Sequence, residues 1–68
     1  MAVKNYVKEY RIQNNLTQQD LALAINVSKQ TIYAIERGMY NPSLEVAIKI
    51  SKVLNEDFQK LFFIEGED

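Results

Sequence analysis

Residues 16–38 read LTQQDLALAINVSKQTIYAIERG, and the fold turns on how this stretch is parsed. Thr17 is a natural N-cap. Asp20, three residues on, can return a hydrogen bond to the Thr17 backbone, a carboxylate variant of the capping box. A helix is therefore expected over about residues 18–25, with Ala22 small where a crossing helix must approach closely. Asn26 follows at the position where a left-handed backbone conformation is usual. Ser28 caps again and opens a second helix over about residues 29–37. Ile32 and Ile35 lie three apart on one face and point inward. Lys29, Gln30, Tyr33 and Arg37 are left on the outer side, and Gly38 stands where a helix stops with positive φ.

Working outward, Val3, Tyr6, Val7 and Tyr10 recur at three- and four-residue spacing, which predicts an amphipathic helix over about residues 3–13. On that reading Tyr6 and Tyr10 belong to the core, and Asn14 and Asn15 end the helix. Residues 39–42 form a loop, and Ser43 caps a fourth helix whose inner stripe is Leu44, Ala47, Ile48, Ser51 and Leu54. Asn55 ends it. Asp57 can cap a short fifth helix over about residues 58–62, with residues 63–68 open. Leu61 and Phe62 can close the core, while Phe63 and Ile64 still need cover. Leu23 is expected to be exposed, as single leucines often are. The sum is one all-α domain over residues 1–68 with five helices around one core, and the tail can add a short strand.

Composition bounds the function. The 68 residues are 47% hydrophobic and 25% charged, with few Gly and one Pro, which suits a folded helical chain. There is no Cys and no His, so no disulfide, metal site or cofactor is expected. With no glycine-rich phosphate loop and no clustered carboxylates, nothing resembles a catalytic constellation, and an enzyme is not expected. No apolar run is long enough to span a bilayer, and the opening MAVKNYVKEY has no secretory pattern, so a cytoplasmic protein is the expectation. Net charge is −1. Its distribution matters more: residues 1–55 carry seven bases and four acids, whereas residues 56–68 carry one base and five acids. The body can present a positive face while the acidity sits at the tail. Charge permits a nucleic-acid partner without establishing one.

With Arg11–Ile12 ahead of LTQQDLA, then VSKQTIYAIERG, then NPSLEVAIKISKVL, the chain resembles the phage repressor/Cro (xenobiotic-response-element) helix-turn-helix family. The resemblance covers roughly residues 4–62, and the motif itself lies at about residues 17–37. It most resembles the family's short single-domain members. The resemblance implies a sequence-specific transcriptional regulator, most simply a repressor, that places its third helix in the major groove of double-stranded DNA. Lys29 and Gln30 then fall at base-contacting positions. Tyr33 and Ala34, one turn on, fall where bases or backbone are contacted, Tyr33 suiting either a phosphate or a thymine methyl. Lys suits guanine O6 or N7, and Gln suits adenine N6 and N7. Ala34 is a departure, able to read only a methyl group by contact.

Gln18, Ser28, Thr31, Arg37, Tyr40 and Asn41 fall where the DNA backbone is held, although Gln18 and Ser28 can equally serve only the helix starts. Met39 replaces a position that is often basic. The family's Arg–Glu pair maps to Arg11 and Glu36, tying the first helix to the third. Members bind pseudo-palindromic sites as two-fold dimers, so Phe58, Phe63 and Ile64, in a tail of about residues 57–68, are the expected homodimer contacts. Core packing of the same residues in a monomer competes with that view. No membrane or small-molecule partner is expected. Two other uses of the fold stay open: the antitoxin of a toxin–antitoxin pair, and a module for protein–protein contact alone.

Overall fold

A computed structural model describes residues 3–39 and 41–66. In chain order the elements are β1 (Val3–Asn5), α1 (Val7–Gln13), α2 (Gln18–Ile25), α3 (Lys29–Glu36), α4 (Leu44–Leu54), α5 (Phe58–Leu61) and β2 (Phe62–Ile64). Local chemistry starts and stops most of them. The Asp20 N–H donates to Thr17 Oγ1 at 3.0 Å, and the Thr17 N–H donates to Asp20 Oδ2 at 2.9 Å, so both halves of the capping box form. Ser28 accepts from the Thr31 N–H at 3.1 Å and Ser43 from the Val46 N–H at 3.2 Å. Asn26 (φ 61°) and Asn55 (φ 53°) leave α2 and α4 in the left-handed conformation, which a short polar side chain tolerates better than most. Gly38 adopts φ 71° just after α3.

One core joins these elements. Val7, Leu21, Ala22, Ile25, Ile32 and Ile35 meet Ala47, Ile50, Leu54, Leu61 and Phe62. Ala22 is fully buried where α2 packs against its neighbours, as its size requires. Among the described residues no helix is long and apolar enough to cross a membrane.

The first helix departs from expectation. Residues 3–5 are extended and pair antiparallel with β2, in the register Val3↔Ile64, Lys4↔Phe63 and Asn5↔Phe62. The Tyr6 N–H continues the ladder to the Leu61 carbonyl at 2.9 Å. Helix α1 begins only at Val7, whose N–H donates to Asn5 Oδ1 at 3.1 Å. Val3 sits at helical spacing from Tyr6 and Val7, but a strand partner from the far end of the sequence outcompetes the helix. Tyr6 is consequently not a core residue. Its ring lies on the sheet, stacked on Phe63 with centroids 5.0 Å apart, and nearly half of it is exposed.

Two further corrections concern the second half. Helix α4 buries Ala47, Ile50 and Leu54, while Leu44 and Ile48 face outward and Ser51 is half-buried. Both stripes share Ala47 and Leu54 and both have helical period. The packing of α2 and α5 selects the one that includes Ile50. Asp57 does begin α5, but its side chain makes no capping bond. This single turn is instead closed by the Lys60 and Leu61 N–H groups donating to the Asp57 carbonyl, and it is anchored by fully buried Leu61. Phe62 is extended (φ −125°, ψ 134°), so α5 stops one residue early and the tail continues as β2. The strand the tail can add is thus completed within the same chain, by β1.

Candidate nucleic-acid interface

Helix α3 divides cleanly into two faces. Ile32 and Ile35 are fully buried, while Lys29, Gln30 and Tyr33 are exposed. Lys29 and Gln30 open the helix immediately after the Ser28 cap, so both project from its first turn. Ala34 is half-buried on the flank. Ser28 and Thr31 join their hydroxyls at 2.9 Å beside this turn. Thus the Ser28 cap, the Thr31 hydroxyl and the two polar side chains form one contiguous polar edge.

The orientation of α3 is held from behind. Arg11 is buried, with its Nε donating to Glu36 Oε2 at 2.6 Å and its Nη2 to Glu36 Oε1 at 3.2 Å. Its Nη1 donates to the Leu16 carbonyl at 2.6 Å. The Glu36 side chain is only 2% exposed, so the pair is screened little by water. Among the described residues no buried side-chain nitrogen or oxygen lacks a hydrogen-bond partner. A buried ion pair is a weak source of net stability compared with apolar packing, but losing one partner strands a charge. The geometry here links α1, the entry to α2 and the last residue of α3.

Gln18 enlarges that network. Its Nε2 donates to Glu36 Oε1 at 3.1 Å, so the side chain expected at a phosphate is engaged inside the protein. The backbone N–H groups at the start of α2 are a separate feature, and a helix N-terminus favours an anion. Sequence spacing alone could not reveal the Gln18–Glu36 contact, because it joins the first residue of one helix to the last of another.

Asn5 is the functional support that sequence reasoning missed. Its Nδ2 donates to the Ile35 carbonyl at 2.9 Å while its Oδ1 accepts from Val7. One amide therefore starts α1 and braces the C-terminal end of α3. An Asn two residues before a helix was a usable cue for the first role. Nothing local announced the second.

The remaining candidates are distributed around this edge. Arg37 follows α3 as its C-cap, exposed, with its Nη1 donating to Tyr33 Oη at 3.2 Å. Asn41 is exposed in the following loop, and Tyr40 lies outside the described residues. At the start of α2, bonds from the Thr17 N–H, and secondarily from its hydroxyl, hold the Asp20 carboxyl below its ordinary range. Phe58, Phe63 and Ile64 are partly exposed at the other end, each near two-fifths of full exposure. Lys4 reaches Glu65 at 3.1 Å across the sheet, so part of the tail's acidity is paired locally.

Two capped helices crossing at a tight turn, the second offering a polar exposed first turn, define a helix-turn-helix protein. A helix-turn-helix family model matches residues 7–61, and the chain belongs to that family. It is 47% identical over 66 residues to an uncharacterized HTH-type transcriptional regulator of Methanocaldococcus jannaschii, covering 97% of this chain and 100% of that protein. It is 35% identical over 46 residues to the cryptic phage CTXphi transcriptional repressor RstR of Vibrio cholerae, covering 68% of this chain and 41% of that one. The N-terminal DNA binding domain of SinR from Bacillus subtilis superposes with a TM-score of 0.76 at 31% identity, covering 90% of each chain. The family match spans α1 to α5 and stops short of both strands.

Proposed function

We propose that this chain is a sequence-specific DNA-binding transcriptional regulator that represses by occupying a promoter as a homodimer. The observation that carries the reading is the exposed first turn of α3, bearing Lys29 and Gln30, on a helix whose far end is tied to α1 by Arg11 and Glu36. Its kinship with HTH-type regulators and a phage repressor supports the same conclusion. Helix α3 enters the major groove, where Lys29 donates to a guanine and Gln30 makes a two-bond pair with an adenine. Ala34 is confined to contact with a thymine methyl. Ser28, Thr31, Arg37, Asn41, Tyr40 and the N-terminus of α2 at Gln18 hold phosphates, which sets register without reading sequence. The family is one of transcription regulators rather than enzymes, and this mechanism needs only binding, in the cytoplasm where the DNA lies.

The dimer reading draws on the apolar surface at the other end. Phe58 and Phe62 line a shallow groove with Val3, Pro42, Leu44 and Ala47, and Phe63 and Ile64 stand exposed on the neighbouring strand. The reading requires a two-fold pairing over these residues that sets two copies of α3 about one helical turn of DNA apart. Selection from a random duplex pool tests the whole reading. Enrichment of two inverted half-sites is expected, and no enrichment at low salt overturns it. Gln30→Ala should weaken the selected site by about 1–3 kcal/mol and relax preference at one base pair. Equal weakening on unrelated DNA would contradict base reading by Gln30. Sedimentation on and off the selected site reports the assembly, and a strict monomer in both states would sink the dimer.

A further inference from the structure

Tyr33 stands on the exposed face of α3, one turn beyond the Lys29–Gln30 pair, and both its ring and its hydroxyl are already engaged. The Arg37 guanidinium carbon lies over the ring, 5.5 Å from its centroid. Its Nη1 donates to the phenolic oxygen at 3.2 Å. The two residues are four apart, the spacing at which helical side chains meet. Arg37 also caps the C-terminal end of α3, where the helix dipole favours a cation.

The ion-paired cations are held differently. Lys4, Arg11, Lys49 and Lys60 each meet a carboxylate: Glu65, Glu36, Glu45 and Glu56 respectively. Arg37 rests on an aromatic ring instead, with no carboxylate in ion-pair distance among the described residues. It is thereby restrained without being neutralised. A restrained, uncompensated guanidinium suits a phosphate, whose oxygens it can meet with parallel N–H donors. The Tyr33 oxygen is bonded to that guanidinium from within its own helix, which couples the two side chains.

We propose that Tyr33 is a positioning residue, not a base reader: it holds the Arg37 guanidinium for a sequence-independent contact with a DNA phosphate. The proposal rests on the DNA-binding reading above, and of the two uses open to Tyr33 it selects support of a backbone contact, made through Arg37, over base reading. Base discrimination on α3 then falls to Lys29 and Gln30.

The test compares the wild type, Tyr33→Phe, Tyr33→Ala, Arg37→Ala and the double alanine variant on the selected site and on an unrelated duplex. Tyr33→Ala should weaken both duplexes by the same factor, about two- to fivefold, with the base-preference profile unchanged. Tyr33→Phe keeps the ring and should stay within about twofold of wild type. In the Arg37→Ala background, removing Tyr33 should cost nothing more, because the two residues act as one unit. A changed preference at a base pair in Tyr33→Ala, or additive losses in the double variant, overturns the proposal. In the DNA-free protein, the ring should shift the Arg37 δ-methylene proton resonances upfield, and Tyr33→Ala should abolish that shift. Absence of the shift in the wild type overturns the pairing itself. Retention of the shift in a wild type that binds no duplex overturns the DNA reading and the phosphate role with it, leaving the pair as a feature of the helix alone.

Discussion

The helix-turn-helix and the terminal sheet occupy the same small domain but are held by opposite means. Helices α2 and α3 start and stop on contacts between residues three or four apart: Thr17 with Asp20, Ser28 with Thr31, and Asn26 turning left-handed between them. Strands β1 and β2 have no such local support. They join the two ends of the described chain, and a two-stranded sheet is marginal by itself. It persists because Phe62 is buried in the core, Tyr6 stacks on Phe63, and Asn5 ties the sheet to α1 and α3. The Lys4–Glu65 pair across it is largely exposed and adds little. The polar turn of α3 is thus positioned by residues outside the motif. Arg11 holds Glu36 at the end of α3, and Asn5 holds the carbonyl of Ile35 beside it.

The sharpest way to break this arrangement is Arg11→Ala. Leaving Glu36 buried without its partner should destabilise the fold by about 3–5 kcal/mol in chemical denaturation, a large share of what a small domain possesses. A loss below about 1 kcal/mol would mean that the placement of α3 does not depend on the pair. Asn5→Ala comes next, expected to cost about 1–3 kcal/mol because a carbonyl and an N–H lose their partner together. Asn5→Asp separates the two roles: it can still accept from Val7 but cannot donate to Ile35. Hydrogen exchange at Val7 should therefore stay slow in Asn5→Asp while overall stability falls.

Thr17→Ala probes the locally built region and should cost about 1 kcal/mol, with faster exchange confined to the first turn of α2. Delocalised loss, reaching the sheet, would show that the motif is less self-supporting than its caps suggest. The smallest effect is a pH dependence at Asp20. Its carboxyl sits below the ordinary value of 3.8 because Thr17 donates to the charged form. A group depressed in the folded state contributes stability that is fully present above the unfolded value and is lost as pH falls through the folded one. Thermal melts of the wild type and Asp20→Asn should differ slightly near neutral pH and converge in acid. A difference independent of pH would assign the effect to packing instead.

Legibility followed the range of the interactions. The caps at Thr17, Ser28 and Ser43, the left-handed Asn26 and Asn55, and positive φ at Gly38 were all readable in the sequence because each depends on near neighbours. The buried row Ile32–Ile35 was readable from its period. The identity of β1 was not, because Val3 satisfies a helical spacing and a strand equally well. The inward row of α4 was ambiguous for the same reason, with Ile48 and Ile50 offering competing stripes. Pairing of Arg11 with Glu36 was expected through family resemblance, whereas the Gln18 amide joining the same carboxylate was not. Tyr33 and Arg37 stood at a readable spacing, yet only their contact reveals that one restrains the other.

The sequence by itself determined the helix-turn-helix and its outward polar turn, since caps, turns and amphipathic period act over a few residues and need no partner. Tertiary structure alone decided that residues 3–5 become a strand, that α4 buries Ile50, and that Asn5 and Gln18 join Arg11 at the end of α3. Those outcomes depend on which distant surfaces compete for the same burial and the same hydrogen bonds. The packed chain, not the local pattern, settles that competition.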